Sequence, residues 1–558
     1  MKQLAIGQSD FKTIIKHNKY YIDKTLFIKD VIDSQSDFSL ITRPRRFGKT
    51  LNLGMLDYFF NVEEQNKELF ENLDISKEKD ILDKYLNQYP VIFITFKEIK
   101  NQNFEGCLSS ISALLSGMVS KYEKEIYSVL KRLDKNEKNS LINILEDKAI
   151  DENYQVCLKS LSKVLYLYYD KEVVLLIDEY DTPIHSSYIG NYYQELMEFM
   201  KSFLSNGLKD NKYLFRGVIT GILRIAKESI FSGLNNVISY TILDNYYSNR
   251  FGFTIDETRQ ILIDAEIENN FDEVLENYNG YKIGDLEILN PWSLLCYVGD
   301  EKHRLLAYWA NTASNELIQE LIKISSDEFK TNLEVLLKNK VLQKIKIDSN
   351  IVFSMLDNDT YIYSLLFFSG YLKCINQQII DSKYYCDLQV VNMETLSIFK
   401  DTISNWINSS FQTGKLKILL KSLVDGDIKL FEKLFSRYIL ETLSYFDVNR
   451  SNEEAVYQAF LLGILINLEE YEVISNQEAG YGRFDILILH KTDKKKLAII
   501  MELKTIDEFE EETKEIALEK ALTQIEEKKY ETATKKRGYE NILKLGVVFD
   551  GKRCWIKR

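Results

Sequence analysis

The chain has 558 residues, of which 45% are hydrophobic, so it is long enough for about two to four domains with real cores. Its formal net charge of −13 argues against a protein that binds nucleic acid over its whole surface. With 4 prolines, 23 glycines and no apolar run long enough for a signal peptide or a membrane span, we expect a globular, cytosolic protein.

The residues that bind zinc or form disulfides are few and dispersed. The 6 cysteines include no Cys-x-x-Cys pair, and the 4 histidines lie far apart in the sequence. The spacing therefore predicts neither a zinc site nor a disulfide framework, and we expect the cysteines to be reduced thiols.

A first candidate site follows the short apolar strand at residues 38–41. The strand leads through a loop into Gly48-Lys49-Thr50 and a predicted helix over residues 51–60. In this arrangement, backbone amides and a helix N-terminus hold phosphates. Lys49 would reach the terminal phosphates and Thr50 would bind Mg²⁺.

The loop departs from the usual phosphate-binding pattern. Arg43 stands where the first glycine of GxxxxGK[ST] is expected, and Pro44 removes one amide donor. Arg43, Arg45 and Arg46 offer positive charge instead, so the loop is still predicted to bind a polyphosphate. A solvated basic turn is the alternative.

A second strand supplies the acids that such a site needs. Residues 173–179 form an apolar run that ends in Asp178 and Glu179, as expected for a buried parallel strand whose carboxyl end faces a ligand. Asp178 would hold Mg²⁺ through water, and Glu179 would polarise the attacking water. A third strand leads to Thr220 and Arg224, either of which would sense the terminal phosphate; a structural salt bridge is the alternative for Arg224.

The middle of the chain is predicted to be mainly helical. Residues 255–276 and 316–338 have helical periodicity, and residues 360–374 form an apolar segment that ends at a Gly-Tyr turn. We expect a helical or winged-helix lid here, followed by a helical bridge over residues 401–450. The predicted core of the bridge is Phe411, Ile418, Leu419, Leu423, Leu430, Phe431 and Leu434.

The sequence Asn290-Pro291-Trp292-Ser293 predicts a helix start. Proline is favoured in the first helical turn, where its missing N–H costs no hydrogen bond. We interpret this segment as a helix entry that carries a core tryptophan.

A second candidate site lies near the carboxyl terminus. Residues 484–489 form an apolar strand that carries Asp485, and a second apolar strand ends in Glu502-Leu503-Lys504. Because strand side chains alternate, Glu502 and Lys504 share one face, and Asp485 lies beside them if the strands form a hairpin. Two carboxylates and an ammonium suit metal-assisted phosphodiester hydrolysis. A solvated Glu-Lys face is the alternative.

The segments that flank these strands support a site for metal-assisted phosphodiester hydrolysis over a solvated Glu-Lys face. A helix over residues 452–468 precedes them, a second helix over residues 518–530 follows, and residues 545–549 form another strand. Residues 528–558 hold ten lysines and arginines against three acids. This basic run is either a solvated face or a surface that holds a phosphate backbone.

The order helix, strand, strand with Asp485, strand with Glu502 and Lys504, helix, strand resembles the core of the PD-(D/E)xK nuclease superfamily. The resemblance implies that these three residues form the catalytic signature. It also implies that Glu454 is the acid of the first helix and a further metal ligand, and that Gln524 is the glutamine found on the second helix of many members.

The chain as a whole resembles the bacterial AAA-ATPase-like family that carries such a nuclease domain at its C-terminus. The resemblance covers nearly the full length, and the missing first glycine of the loop is usual in that family. The segments that carry it are residues 21–25, 43–50, 176–181, 220–224, 231–236, 251–254, 279–281, 290–293 and 308–309.

The predicted fold is an α/β multidomain protein. It comprises an ATPase-like domain with a P-loop-type parallel sheet over residues 1–250 and the lid region over residues 251–400. The helical bridge over residues 401–450 leads into a PD-(D/E)xK nuclease-like domain over residues 451–558. The predicted nucleotide-binding residues are Arg46, Gly48, Lys49, Thr50, Asp178 and Arg224.

The predicted function is an ATP-binding nuclease that requires Mg²⁺ or Mn²⁺ and acts on nucleic acid, DNA more readily than RNA, under nucleotide control. The alternative is a catalytically inert, nucleotide-dependent adaptor that binds nucleic acid or protein. A third possibility is an ATPase half that works as a molecular switch without sustained turnover, which fits the altered loop and is compatible with an active nuclease. Oligomerisation stays open.

Overall fold

The computed structural model divides the chain into two compact units, which are Met1–Ala313 with Val341–Thr395, and Ser314–Lys340 with Leu396–Arg558. The four domains expected from the sequence stay predictions. No helix in the described part of the chain is long and apolar enough to cross a membrane. The structure describes residues 2–225, 234, 236–309, 321, 325–337, 340–351, 353–356, 358–399, 415–442, 457, 461–462, 464–465, 467–479, 482–506, 513–550 and 553–558.

The two units contain helices and strands as follows. The described α-helices are α1 Phe11–Lys16, α2 Leu26–Asp33, α3 Lys49–Phe60, α4 Lys79–Tyr85, α5 Phe104–Lys121, α6 Glu123–Val129, α7 Lys135–Leu145, α8 Asp151–Tyr169, α9 Thr182–Ile189, α10 Tyr193–Leu208, α11 Ile255–Asp264, α12 Phe271–Tyr278, α13 Pro291–Gly299, α14 Asp327–Leu337, α15 Asp359–Phe368, α16 Lys415–Val424, α17 Ile428–Thr442, α18 Lys514–Glu527 and α19 Tyr530–Lys536. The described strands are β1 Phe38–Thr42, β2 Val91–Thr95, β3 Val173–Asp178, β4 Leu214–Gly221, β5 Val237–Tyr240, β6 Phe253–Thr254, β7 Tyr281–Ile283, β8 Leu286–Leu289, β9 Leu342–Ile347, β10 Leu372–Ile380, β11 Lys383–Val390, β12 Tyr471–Ala479, β13 Gly482–His490, β14 Ala498–Thr505, β15 Ile542–Asp550 and β16 Arg553–Lys557.

The first unit is built on a parallel sheet in the order β2-β3-β4-β1-β5. Strands β1 and β3 are buried along their whole length, which explains their continuous apolar sequences. Carboxyl ends of parallel strands meet at one edge of a sheet, so the loop after β1 lies beside the acids that end β3 and the threonine near the end of β4. The predicted α/β fold class is confirmed.

The rest of the first unit mixes helices with short antiparallel sheets. Helices α11, α12 and α13 share a core with the β6-β8-β7 sheet, and α15 packs on the β10-β11-β9 sheet. The expected helical region over residues 255–276 is present as α11 and α12. The apolar segment at residues 360–374 forms most of α15, the turn at Gly370 and the start of β10.

The second unit is built on a mixed sheet in the order β12-β13-β14-β15-β16. Strands β13 and β14 pair antiparallel as the predicted hairpin, and β14 pairs parallel with β15. Helix α18 packs across β14 and β15. A Cβ at Gly546 of β15 would come within 3.1 Å of Ala521 on α18, so the absence of a side chain there lets the helix approach the sheet.

Part of the predicted core of the bridge is wrong. Leu419, Leu423 and Phe431 are buried, but Ile418 is 54% exposed and Leu430 is 37% exposed. The buried residues of α16 recur at helical spacing, which places the adjacent Ile418 outside that stripe. Leu434 is half-buried, and Phe411 lies outside the described residues.

The predicted helix over residues 452–468 is described only in part. Tyr457, Leu461, Ile464 and Leu465 are helical and buried, as their apolar spacing predicts. The predicted metal ligand Glu454 lies outside the described residues.

Candidate functional sites

The loop between β1 and α3 turns sharply at Gly48. Its φ of 82° lies in the left-handed region that favours glycine, and a Cβ there would meet no atom within 4 Å. Lys49 and Thr50 follow as the first residues of α3. The backbone N–H groups of this first turn have no partner within the helix, so the loop can hold a phosphate.

The Lys49 side chain is buried inside this loop. Its Nζ donates hydrogen bonds of 2.9 Å to the backbone oxygens of Arg43 and Pro44. Burial lowers the pKa of the ammonium, while the carboxylates of Glu179 and two further acids oppose that shift. The ammonium is therefore positioned inside the turn where a polyphosphate would lie.

Asp178 connects the loop to two neighbouring strands. Its buried carboxylate accepts hydrogen bonds from Oγ1 of Thr50 at 2.7 Å and from Oγ1 of Thr220 at 2.6 Å. Carboxylate and hydroxyl oxygens are ligands that Mg²⁺ prefers, so this donor set fits the ion. Glu179 has a φ of 51° and accepts a hydrogen bond of 3.1 Å from Oγ1 of Thr182.

Arg43 does not supply charge to the loop, contrary to the sequence-based expectation. Its fully buried guanidinium donates to the backbone oxygens of Thr42 at 2.8 Å and Tyr240 at 3.0 Å, and it lies 5.4 Å from the Phe251 ring centroid. Burial lowers the pKa of Arg43 to about 10. The arginine at the first-glycine position therefore connects the ends of β1 and β5.

A cavity of about 440 Å³ opens in front of the loop. The predicted residues Arg46, Gly48, Lys49, Thr50 and Glu179 line it. These five residues therefore line a single cavity.

Two residues near this cavity differ from expectation in their position. Arg224 does not line the cavity in the described part of the chain, and its backbone oxygen accepts from the N–H of Ile351 at 3.0 Å. Trp292 was expected in the core, but it is half-buried and lines the cavity. Its position in residues 290–293, one of the segments that carry the family resemblance, was the signal that could have assigned it to the site. The helix start at Pro291, capped by the Asn290 side chain, is as predicted.

The register of β13 and β14 brings the second predicted site together. Ile486 pairs with Met501, so one further step places Asp485 opposite Glu502. Oδ2 of Asp485 accepts a hydrogen bond of 2.7 Å from the N–H of Leu503. Directly opposed residues of an antiparallel pair point to the same face, so the two carboxylates are neighbours.

Glu502 is the centre of this group. It is 1% exposed, and its Oε1 accepts a hydrogen bond from Nε2 of Gln524 on α18. Nζ of Lys504 lies 3.5 Å from the same oxygen, and its side chain is 25% exposed. The hairpin and α18 thus bring together four of the five residues predicted for this site, which are Asp485, Glu502, Lys504 and Gln524.

The electrostatics of this group fit a hard divalent cation. Burial raises the pKa of Asp485, while the Leu503 N–H and the Lys504 ammonium lower it. Adjacent buried carboxylates repel each other, and a cation that binds both relieves that cost. Among the described residues no third histidine, cysteine or acid joins them, and the predicted ligand Glu454 lies outside those residues.

The basic run near the carboxyl terminus is partly neutralised. Nζ of Lys535 lies 2.5 Å from Glu531, and Nζ of Lys544 lies 2.7 Å from Glu526. Lys557 pairs with an acid of α18. The basic excess of the sequence is therefore smaller on the folded surface than the count of residues implies.

Comparison with known proteins gives two family matches. Residues 5–231 match the family described as predicted AAA-ATPase, and residues 452–558 match the PD-(D/E)XK nuclease superfamily. The chain is also similar to an uncharacterised protein in the vnfD 5' region of Azotobacter chroococcum mcd 1. The two are 24% identical over 509 residues, which cover 88% of this chain and 87% of that protein.

Proposed function

We propose that this chain, which carries an AAA-ATPase-like domain and a C-terminal PD-(D/E)XK superfamily domain, is an ATP-binding nuclease that uses Mg²⁺ or Mn²⁺. Its substrate would be nucleic acid, DNA more readily than RNA, and its nucleotide state would license cutting. The convergence of Asp485, Glu502, Lys504 and Gln524 on one face of the β13-β14 hairpin carries the proposal.

In the cutting step, each side chain has a distinct role. Asp485, Glu502 and Glu454 would hold the divalent ion, which when bound supplies an acidified water and screens the phosphate charge. The partly exposed ammonium of Lys504 would bind a non-bridging oxygen of the scissile phosphate or orient the attacking water. Gln524 would fix the Glu502 carboxylate through its hydrogen bond to Oε1.

In the nucleotide step, the loop after β1 would bind the triphosphate. Lys49 would exchange its two backbone oxygen partners for phosphate oxygens. Thr50 and Asp178 would hold Mg²⁺, which screens the phosphates when bound, and Glu179 would orient water. Arg46 lines the same cavity and would add positive charge, and Arg224 would have to turn from the end of β4 to sense the terminal phosphate.

The proposal is tested by incubating the purified full-length protein with labelled single- and double-stranded DNA and RNA. Reactions contain Mg²⁺, Mn²⁺ or EDTA, each with and without ATP. We expect cleavage that requires the metal and changes with ATP, with DNA cut faster than RNA. Binding of the nucleic acid by the protein without cleavage under any of these conditions would instead support the inert adaptor.

A further inference from the structure

Trp292 is held in a fixed orientation at the start of α13. The Asn290 side chain caps the helix through the N–H of Trp292 at 2.9 Å, and the indole Nε1 donates to the backbone oxygen of Tyr308 at 3.2 Å. The Asn290 amide also donates to the backbone oxygen of Arg45 at 3.4 Å. The indole is therefore fixed beside the phosphate-binding loop, and it lines the cavity.

Arg46 covers this indole. Its guanidinium lies 4.4 Å from the centroid of the Trp292 ring, which is within the range of a cation–π contact. Its backbone φ of 68° lies in the left-handed region, which is unfavourable for a residue with a side chain. Strained residues of this kind concentrate at ligand sites. An arginine of the phosphate-binding loop thus has its charge placed on an aromatic face.

Apolar residues share the cavity with the Trp292 ring. Gly7 approaches the ring edge so closely that a Cβ there would lie 3.5 Å from Cζ3 of Trp292. Ile22 and Leu295 also line the cavity. The cavity therefore combines phosphate-binding groups with an aromatic and aliphatic surface, which are the two parts that a nucleoside triphosphate requires.

We propose that Trp292 stacks on the base of the bound nucleotide, that this base is a purine, and that Arg46 moves from the indole to the phosphates on binding. The inference rests on the proposed ATP binding and names the part of the site that selects the base. A purine covers more of the indole face than a pyrimidine does, so stacking favours it. The phosphates offer Arg46 a charged partner in place of the ring.

Isothermal titration calorimetry of the full-length protein with ATP, CTP and inorganic tripolyphosphate, each in the presence of Mg²⁺, tests whether Trp292 stacks on the base. We expect ATP to bind the wild type at least about tenfold more tightly than CTP. Trp292→Ala should weaken ATP at least about tenfold but change tripolyphosphate by less than about twofold, whereas Trp292→Phe should keep ATP within about threefold. Equal weakening of ATP and tripolyphosphate by Trp292→Ala, or no weakening of ATP, overturns the stacking role.

Tryptophan fluorescence keeps the test decisive if Trp292→Ala does not fold. ATP should change the tryptophan emission of the wild type and should not change that of Trp292→Phe. The emission of Trp555→Phe should still change, because Trp555 lies on β16 and does not line the cavity. A change that persists in Trp292→Phe overturns the inference. ATP binding that depends on Lys49 but not on Trp292 overturns the stacking alone. Absence of any ATP binding by the wild type overturns the proposed nucleotide site itself.

Discussion

Nζ of Lys504 lies 3.5 Å from Oε1 of Glu502, the oxygen that also accepts a hydrogen bond from Gln524. The glutamate is buried and the lysine is partly exposed, so the contact joins a buried carboxylate to an ammonium that solvent can reach. A buried carboxylate thereby orients an ammonium that a phosphate can still reach.

The Gln524 side chain is expected to position Glu502. Gln524→Ala removes the hydrogen-bond donor to Oε1 and should slow cleavage by about 10- to 100-fold, as loss of a group that orients a metal ligand typically does. Single-turnover cleavage of labelled DNA measures this. The control is Gln378→Ala, which changes an exposed glutamine of β10 and should cut at the wild-type rate. A Gln524→Ala rate within about twofold of the wild type contradicts the positioning role.

Asp485→Asn should separate stability from activity. Because burial raises the pKa of Asp485 above its usual 3.8, its stability contribution is present at acid pH and is lost as pH rises through the raised pKa. Without metal, the variant should therefore unfold at a higher temperature than the wild type, and the difference should be larger at pH 8, above the raised pKa, than at acid pH below 3.8.

Cleavage by Asp485→Asn should fall by more than about a hundredfold, because an amide is a poor substitute for a charged metal ligand. Thermal unfolding in EDTA and cleavage in Mg²⁺ are measured on the same preparation. A variant that is less stable than the wild type at pH 8, or that cuts as fast, would show that Asp485 is not a desolvated ligand.

Lys49→Ala should abolish ATP binding and also weaken the fold. The buried ammonium satisfies two backbone oxygens of the loop, so its removal should cost about 1–3 kcal/mol in the free energy of unfolding. Titration calorimetry and chemical denaturation measure the two effects. Lys138→Ala, at an exposed position on α7, should change neither. Unaltered ATP affinity in Lys49→Ala would exclude the predicted role of the lysine.

Glu394 should make the first unit less stable at alkaline pH. Its buried carboxylate accepts from Oγ of Ser293 at 2.8 Å and from the N–H of Trp309 at 2.7 Å, and burial raises its pKa to about 7. A raised folded pKa means that the contribution to stability is complete below about pH 4.5 and is lost as pH rises through about 7.

Between pH 6 and pH 8 the wild type should therefore lose about 1 kcal/mol in the free energy of unfolding. Glu394→Gln should remove this loss, because glutamine carries no charge. Its amide can still accept from the N–H of Trp309 and donate to Ser293. Denaturant titrations at pH 6 and pH 8 measure the loss in the free energy of unfolding. The control is Glu276→Gln, on the exposed face of α12. A loss of the same size in Glu394→Gln would assign the pH dependence elsewhere.

The strands that end in functional side chains were predictable. Each is a short apolar run that ends in charge, and such a run is expected to be buried while its charged end has a partner or solvent. The alternation of β14 placed Glu502 and Lys504 on one face, and the hairpin register then brought Asp485 beside them. Local sequence was sufficient because these contacts join neighbouring strands.

The contacts that sequence reasoning missed join distant segments. The carbonyls that hold Arg43 belong in part to Tyr240, nearly two hundred positions along the chain. Trp292 reaches the loop between β1 and α3 through the packing of α13, which no local pattern encodes. A residue type shows what a side chain can bind, but the tertiary fold decides which partner lies within reach.

The most direct measurement of the central claim is the Mg²⁺-dependent cleavage rate of Lys504→Ala compared with the wild type and with Lys496→Ala. Lys496 lies exposed in the turn between β13 and β14, so its variant controls for the loss of one positive charge. Circular dichroism first confirms that all three proteins fold. We predict that Lys496→Ala cuts at the wild-type rate and that Lys504→Ala loses cleavage while it stays folded. A folded Lys504→Ala protein that cuts as fast as the wild type would contradict the account.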